Sequence, residues 1–217
     1  MNARLPELLR ARLQGPLPGP SLGSRFGPGP GAARHYEEPP PDARMAAVLV
    51  LLYPHHDGWH LPLTLRPSHL PDHAGQVSLP GGAIEPGETS WEAAVREFHE
   101  ELGAADQRID RVGRLSPLFV AASNFRVKPW VGVAACRPPL ALNPAEVDEI
   151  LEVPLAHLLD PAHFGSHQRH QKGRTYTAPH FLWQTHRIWG ATCMILGELV
   201  ALLEELGIGA SGFRAQS

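Results

Sequence analysis

Residues 82–104, GAIEPGETSWEAAVREFHEELGA, constrain the fold of this chain more than any other stretch. Their pattern predicts a tight turn that leads into one short helix. Thr89 is the expected N-cap, Glu92 three residues later completes a capping box, and Gly103 is the expected stop. Apolar residues recur between these ends at helical spacing, which predicts a buried face made of Trp91, Ala94, Val95, Phe98 and Leu102.

Acidic residues occupy another side of this helix. At about 100° per residue, Glu97, Glu100 and Glu101 fall within an arc of roughly 100° that lies away from the apolar face. Two carboxylates about 5 Å apart repel by about 3 kcal/mol at an effective dielectric of about 20. Several oxygen ligands on a rigid helix suit a hard divalent cation such as Mg²⁺ or Mn²⁺. The alternative is a solvated acidic face that binds nothing.

The spacing of the fixed residues favours the metal-binding interpretation. The stretch resembles the Nudix box, GX5EX7REUXEEXGU with U apolar, and matches every fixed position of it. The charged and glycine positions are Gly82, Glu88, Arg96, Glu97, Glu100, Glu101 and Gly103. The resemblance implies an α/β fold: the Nudix α/β/α sandwich with a mixed sheet, the box as a loop–helix–loop, and a C-terminal helix.

The same resemblance implies an activity and roles for the box residues. Nudix hydrolases cleave a nucleoside diphosphate linked to another moiety, with divalent metals held by the box glutamates. Here the implied ligands of Mg²⁺ or Mn²⁺ are Glu97, Glu101 and Glu100, and the implied catalytic residues are Glu97, Arg96 and Glu101. Arg96 is expected to orient the box by hydrogen bonds, and Glu88 to brace the loop. The general base stays open between Glu97 and a residue outside the box.

A second resemblance lies just upstream of the box. Residues 63–82, LTLRPSHLPDHAGQVSLPGG, are similar to the element LLTXR(S/A)X3RX3GX3FPGG of the coenzyme A pyrophosphatase subfamily. The matching residues are Leu63, Thr64, Arg66, Gly75, Pro80, Gly81 and Gly82, and the departures are Pro62, Pro67, Pro71 and Leu79. Pro71 replaces an arginine, and a proline cannot bind a substrate phosphate as a cation does.

This upstream element is suited to binding substrate. Arg66 follows a predicted strand, where its guanidinium can hold a phosphate bidentately, although a surface ion pair is the alternative. Gly75, Gly81 and Gly82 allow a ligand to approach the backbone closely. The leading hypothesis is cleavage of coenzyme A or acyl-CoA to 3′,5′-ADP and 4′-phosphopantetheine or its acyl form. The alternatives are a pyrophosphatase for ADP-sugars or dinucleotides and a non-catalytic Nudix module that senses a ligand.

Composition divides the chain into three parts. Residues 15–41 contain 14 Gly or Pro residues out of 27, so residues 1–42 are predicted to be a flexible lead-in. Residues 4–13 either fray or form a short amphipathic helix. The Nudix domain is assigned to residues 43–207 and a flexible tail to residues 208–217. A buried strand is predicted at residues 45–53, and residues 188–206 are predicted to lead into the terminal helix.

Other polar clusters carry weaker predictions. Glu146 and Glu149 are candidates for a carboxylate outside the box that assists metal or water, with a solvated acidic turn as the alternative. His163, His167 and His170 are assigned to a polar surface loop rather than to a metal site. The net charge of −3 does not indicate the basic surface that is typical of nucleic-acid-binding proteins. No apolar run has the length of a membrane span, and two distant cysteines indicate a reduced, cytoplasmic protein. The sequence leaves homodimerisation open.

Overall fold

A long central strand, β1 (Arg44–His55), organises the structure. The computed structural model describes residues 4–19, 25–27, 39–56, 58–68, 75–105, 107–171 and 173–210. Strand β1 runs parallel to β7 (Phe125–Val133) and antiparallel to β2 (Gly58–Leu65) and β4 (Gly81–Ala83). The predicted strand at residues 45–53 is therefore confirmed, and its continuous apolar run reflects burial on both faces.

The other strands extend this sheet or form a second one. In the larger, mixed sheet the order is β3-β2-β1-β7-β5, while β4, β6 and β8 pair with β1, β7 and β2. The strands not yet defined in this sheet are β3 (Val77–Ser78), β5 (Asp110–Arg114), β6 (Leu118–Val120) and β8 (Glu149–Pro154). A three-stranded antiparallel sheet contains β9 (Phe164–Gln171), β10 (Arg174–Trp183) and β11 (His186–Trp189).

Helices cover both faces of the central strand. Helix α2 (Ser90–Leu102) packs on the β1 face that carries Leu49 and Leu51. Helix α4 (Gly190–Glu205) belongs to the core on the other face, with Val50 and Leu52. The described helices also include α1 (Leu5–Arg12), α3 (Leu155–Leu158) and a 3₁₀ turn, Pro161–His163. The predicted α/β/α sandwich with a mixed sheet is confirmed. No helix in the described ranges is long and apolar enough to cross a membrane.

The ends of α2 are the predicted ones. The hydroxyl of Thr89 accepts a hydrogen bond from the Glu92 N–H, and the Glu92 carboxylate accepts one from the Thr89 N–H. Gly103 ends the helix in the left-handed conformation, with φ of 69°. The predicted apolar face is only partly right: Ala93 and Glu101 are buried, whereas Trp91 and Val95 are half-buried.

The N-terminal segment contradicts the prediction that residues 1–42 are flexible. Leu5 and Leu9 of α1 are 0% exposed and lie in the core beside α4. The ring of Phe26 fills the space above Gly197, where a Cβ atom would overlap it. A few apolar side chains are enough to dock this segment, despite its high Gly and Pro content, because α4 offers them an uncovered apolar surface. Residues 1–3, 20–24 and 28–38 lie outside the described ranges.

Two further predictions need correction. The side chain of Ile208 is buried, and its N–H bonds to the Leu203 carbonyl at 2.9 Å, so the tail is ordered as far as residue 210. Residues 211–217 lie outside the described ranges. The predicted polar loop around His167 and His170 is strand β9, because its backbone pairs with β10 along residues 164–171 and Phe164 anchors it in the core.

Candidate active site

The double-glycine turn lies directly against α2. Gly81 and Gly82 pair with Val48 and Ala47 of β1. Gly81 has φ of 153°, and a Cβ atom there would overlap the Ala47 carbonyl oxygen. A Cβ atom on Gly82 would overlap the carboxylate of Glu97. Both positions therefore need glycine, and the absent side chains let the backbone approach the acidic face of α2.

Arg96 links the box loop to the helix. Its Nε and Nη2 donate to the two oxygens of Glu88 at 3.1 and 2.9 Å, and Nη2 also donates to the Ala83 carbonyl. Its Nη1 donates to Glu97 at 3.0 Å and to Glu100 at 2.9 Å. Hydrogen bonding to Arg96 lowers the pKa of Glu88, which keeps this brace ionised. Arg96 thus holds the loop and two box carboxylates in one network.

Glu101 is a buried carboxylate without a matching cation. Its side chain is 6% exposed, and its Oε2 has no hydrogen-bond partner among the described residues. Burial, followed by the charges of Glu97 and Glu146, raises its pKa to about 8, although the Gly81 N–H and the Arg66 charge oppose this shift. Burial also raises the pKa of Glu97. The site therefore concentrates negative charge where water cannot fully solvate it.

The structure separates the two acidic candidates outside the box. The Asn143 N–H bonds to the Glu101 carbonyl at 2.9 Å, and this fixes the following turn against the C-terminal end of α2. The charge of Glu146 consequently raises the pKa of both Glu97 and Glu101. Glu149 instead lies on β8 and faces His186, with 3.3 Å between its Oε2 and the Nε2 of His186. Only Glu146 joins the acidic cluster.

The acidic cluster fits a hard divalent cation. Among the described residues, no three His, Cys, Asp or Glu side chains are grouped closely enough to hold a metal ion, and Arg96 donates hydrogen bonds to Glu97 and Glu100. The donors are all carboxylates, one of their oxygens is buried and unpartnered, and the like charges oppose one another. Mg²⁺ or Mn²⁺ would relieve this repulsion and satisfy that oxygen.

The upstream element, residues 63–82, interacts with the acidic cluster through Arg66. The Arg66 N–H bonds to the Gln76 carbonyl at 3.0 Å, and the Gly75 N–H bonds to the Arg66 carbonyl at 3.1 Å. The charge of Arg66 opposes the rise in the pKa of Glu101, so the two side chains interact electrostatically. Residues 69–74, which include Pro71, lie outside the described ranges.

One residue that positions this turn is not visible in the sequence pattern. The Thr192 hydroxyl, near the start of α4, donates to the Val77 carbonyl at 3.2 Å. It ties the last helix to the strand that leads into Gly81. The two residues are 115 positions apart, so no local spacing could have predicted the contact.

Comparison with known proteins identifies the class of this chain. The family model of the NUDIX domain matches residues 43–179. A relative named "Uncharacterized Nudix hydrolase NudL" from Photorhabdus laumondii is 36% identical over 138 residues, which are 63% of this chain and 73% of the relative. "Nudix hydrolase 3" of Caenorhabditis elegans is 31% identical over 159 residues, or 65% of each chain. The chain belongs to the Nudix family and is a Nudix hydrolase.

Solved structures are similar at a lower level. The Nudix hydrolase RenU from M. smegmatis is 24% identical, with a TM-score of 0.44, over 52% of this chain and 71% of that one. The NUDIX domain of Shewanella oneidensis NrtR, solved with ADP ribose, is 19% identical, with a TM-score of 0.43, over 60% of this chain and 86% of that one. The family assignment rests on the sequence matches.

Proposed function

We propose that this Nudix hydrolase cleaves the phosphoanhydride of coenzyme A or acyl-CoA, giving 3′,5′-ADP and 4′-phosphopantetheine or its acyl form. The observation that carries this proposal is the position of Arg66. Arg66 stands in the stretch that resembles the coenzyme A pyrophosphatase element, and its charge favours ionisation of the buried box carboxylate of Glu101. An arginine beside the acidic cluster suits a diphosphate, because its guanidinium binds phosphate oxygens bidentately.

The box acids have distinct proposed roles. Glu97 and Glu101, with Glu100, would hold Mg²⁺ or Mn²⁺. A bound divalent cation neutralises diphosphate charge and lowers the pKa of bound water. Arg96 is a positioning residue, since its guanidinium is engaged by Glu88, Glu97 and Glu100. The glycine backbone at 81 and 82 lets the diphosphate lie close to the carboxylates.

Hydrolysis also needs a group that accepts a proton from the attacking water. We assign this role to Glu146, because its side chain is exposed and its charge raises the pKa of both Glu97 and Glu101. Glu97 is less suited, because its Oε1 already accepts a hydrogen bond from Arg96. The water oxygen bonds to one phosphorus, the P–O–P bridge breaks on that side, and the other phosphate leaves with the bridging oxygen.

Because the sequence departs from the coenzyme A-type element at several positions, ADP-sugars and dinucleotides are also tested as substrates. Leu79 stands where the subfamily has Phe, but it is 4% exposed and part of the apolar core, so it can replace Phe in packing. Pro71 replaces an arginine of the coenzyme A-type element, and the loss of this cation favours ADP-sugars or dinucleotides as substrates. The complete set of box glutamates favours catalysis over ligand sensing.

A substrate panel tests the proposal. Coenzyme A, acetyl-CoA, ADP-ribose and diadenosine tetraphosphate are incubated with the protein and either Mg²⁺ or Mn²⁺, and products are separated by chromatography. We expect the highest kcat/KM with coenzyme A or acetyl-CoA. Faster turnover of ADP-ribose or the dinucleotide would support the rival, and no turnover of any compound would support a sensor.

Two variants and a matched control test the metal ligands. Glu97→Gln and Glu101→Gln should each lower kcat by roughly 10²-fold or more, because each removes a negative ligand at the reacting centre. Glu85→Gln removes the same charge from an exposed position in the box loop and should leave kcat unchanged. Wild-type turnover in both ligand variants would refute the assignment.

A further inference from the structure

The three-stranded sheet has a cationic face that the proposed reaction does not use. In the register of β9, β10 and β11, Phe164, Phe181 and Ile188 are aligned and point into the core. Side chains alternate along each strand, so the neighbouring positions form the opposite face. We call this the arginine–histidine face after His167, Arg169, His180, Arg187 and Trp189, and the register also places Tyr176, Ala178 and Leu182 on it.

Close contacts hold this face in a fixed arrangement. The Arg169 guanidinium stacks on the Trp189 ring, 4.2 Å from its centroid. His167 and His180 approach each other with 3.1 Å between their Nδ1 atoms, so one ring donates a hydrogen bond to the other. The His167 ring also meets Trp189 edge-on, with 6.1 Å between centroids. Stacking on an indole fixes the plane of a guanidinium and leaves its donors available.

Among the described residues, no acid is found to balance the positive charge on this face. Burial lowers the pKa of His167, and the charges of His180, Arg187 and Arg169 lower it further. Burial and then Arg187 also lower the pKa of His180. No carboxylate is among the causes of either shift, and within the described ranges Arg187 forms no ion pair.

Arg169 also has an unmet hydrogen-bond donor. Its Nε is buried and has no acceptor in the described parts of the chain. Leaving a buried donor of a charged group unpaired is unfavourable, and natural proteins rarely do so without a reason. A purely structural role for Arg169, as a cover for Trp189, would not require this arrangement, since an apolar side chain would cover the ring without that cost.

We propose that the arginine–histidine face binds a phosphate monoester. Two guanidinium groups supply N–H donors, and a phosphate dianion offers three strongly accepting oxygens that pair bidentately with arginine. The phosphate has two possible sources. If the proposed function holds, it is the 3′-phosphate of coenzyme A, which lies outside the scissile diphosphate. Otherwise it belongs to a separate nucleotide bound away from the reaction.

The connections of β11 relate this face to the active site. Trp189 ends β11 and is followed by Gly190, the first residue of α4. Thr192 then donates its hydroxyl hydrogen bond to Val77 on β3, and β3 leads into the double-glycine turn. A ligand bound at Trp189 would therefore contact the start of the segment 189–192, which positions the double-glycine turn through Thr192.

Isothermal titration calorimetry with 3′,5′-ADP and with inorganic phosphate tests binding in the full chain without added metal. We expect Arg187→Gln and Arg169→Gln each to weaken binding of 3′,5′-ADP by about 10–100-fold, the loss expected for one charged hydrogen-bonding group. Arg108→Gln makes the same charge change at a side chain that is 89% exposed and should bind like wild type. Thermal melting checks folding, and the exposed Arg187 decides the test if Arg169→Gln unfolds.

A kinetic comparison identifies the source of the phosphate. If it is the substrate's 3′-phosphate, the ratio of the KM for coenzyme A to that for dephospho-coenzyme A rises about 10-fold in Arg187→Gln. If weaker 3′,5′-ADP binding leaves that ratio unchanged, the face binds a separate nucleotide. Equal affinity for 3′,5′-ADP in wild type and both arginine variants overturns the proposal. Calorimetry measures these affinities even if no coenzyme A is hydrolysed, so the two proposals fail separately.

Discussion

Replacing Glu101 by glutamine should stabilise the metal-free protein while lowering kcat by roughly 10²-fold or more. The folded-state pKa of Glu101 is raised to about 8, against an ordinary value of 4.5. Above pH 4.5 the unfolded chain has lost this proton while the folded chain still holds it. The carboxyl therefore lowers the free energy of unfolding as pH rises from 4.5, and the loss levels off above the folded pKa. Glutamine has the shape of the neutral acid and cannot ionise.

The size of the effect follows from the two pKa values. At about 1.4 kcal/mol for each pH unit between the unfolded pKa and pH 7, the gain on replacing Glu101 is about 3 kcal/mol. For a chain of this length that corresponds to a Tm increase of about 6–12 °C at pH 7. Near pH 4.5 the gain should nearly vanish, because the carboxyl is then protonated in the folded state and about half protonated in the unfolded state.

Thermal unfolding in EDTA between pH 4.5 and 8.5 measures this difference. Glu100→Gln is the matched control, since its carboxylate lies one residue away with 52% of the side chain exposed. Added Mn²⁺ should raise the Tm of the wild type far more than that of Glu101→Gln. A Glu101→Gln protein that melts with the wild type at every pH in EDTA would refute the reasoning, because Glu101 would then not be a buried acid beside like charges.

Three other substitutions test separate parts of the structure. Gly82→Ala should lower kcat/KM by about 10²-fold, because the added Cβ overlaps the Glu97 carboxylate and displaces it; unchanged kinetics would contradict that close approach. Glu146→Gln should lower kcat by about 10²-fold or more while the Mn²⁺ affinity measured by calorimetry stays near that of the wild type, as expected for a proton acceptor; an unaltered kcat would remove it from that role. Leu9→Ala should lower the free energy of unfolding by about 2–5 kcal/mol in a denaturant titration, whereas Glu7→Ala, at an exposed position of the same helix, should change it by less than about 0.5 kcal/mol.

Local signals predicted the helix that carries the site. The capping pair of Thr89 and Glu92 and the stop at Gly103 depend on residues within one turn of each helix end, so the sequence alone determines them. The long apolar run of β1 likewise reports its burial directly. Both predictions depend on neighbours in the sequence rather than on distant parts of the chain.

Contacts between residues that are far apart in the sequence could not be predicted from local patterns. The burial of Glu101 depends on its place under the double-glycine turn, although helical geometry alone placed it on an exposed arc. The approach of Glu146 depends on the backbone bond from Asn143 to the end of α2. Strand β9 contains polar residues and histidines, and only its pairing with β10 makes it a strand. These features arise when separate elements pack, and no sequence period encodes them.

The packing of Phe26 against Gly197 determines which residues an expressed form of this protein should include. The family match covers residues 43–179, yet α1, Phe26 and the whole of α4 lie beyond those limits and supply buried core. A polypeptide trimmed to the matched span would lose one of the two outer layers. Its bare sheet would be prone to precipitate, so expression boundaries belong outside residues 4–210.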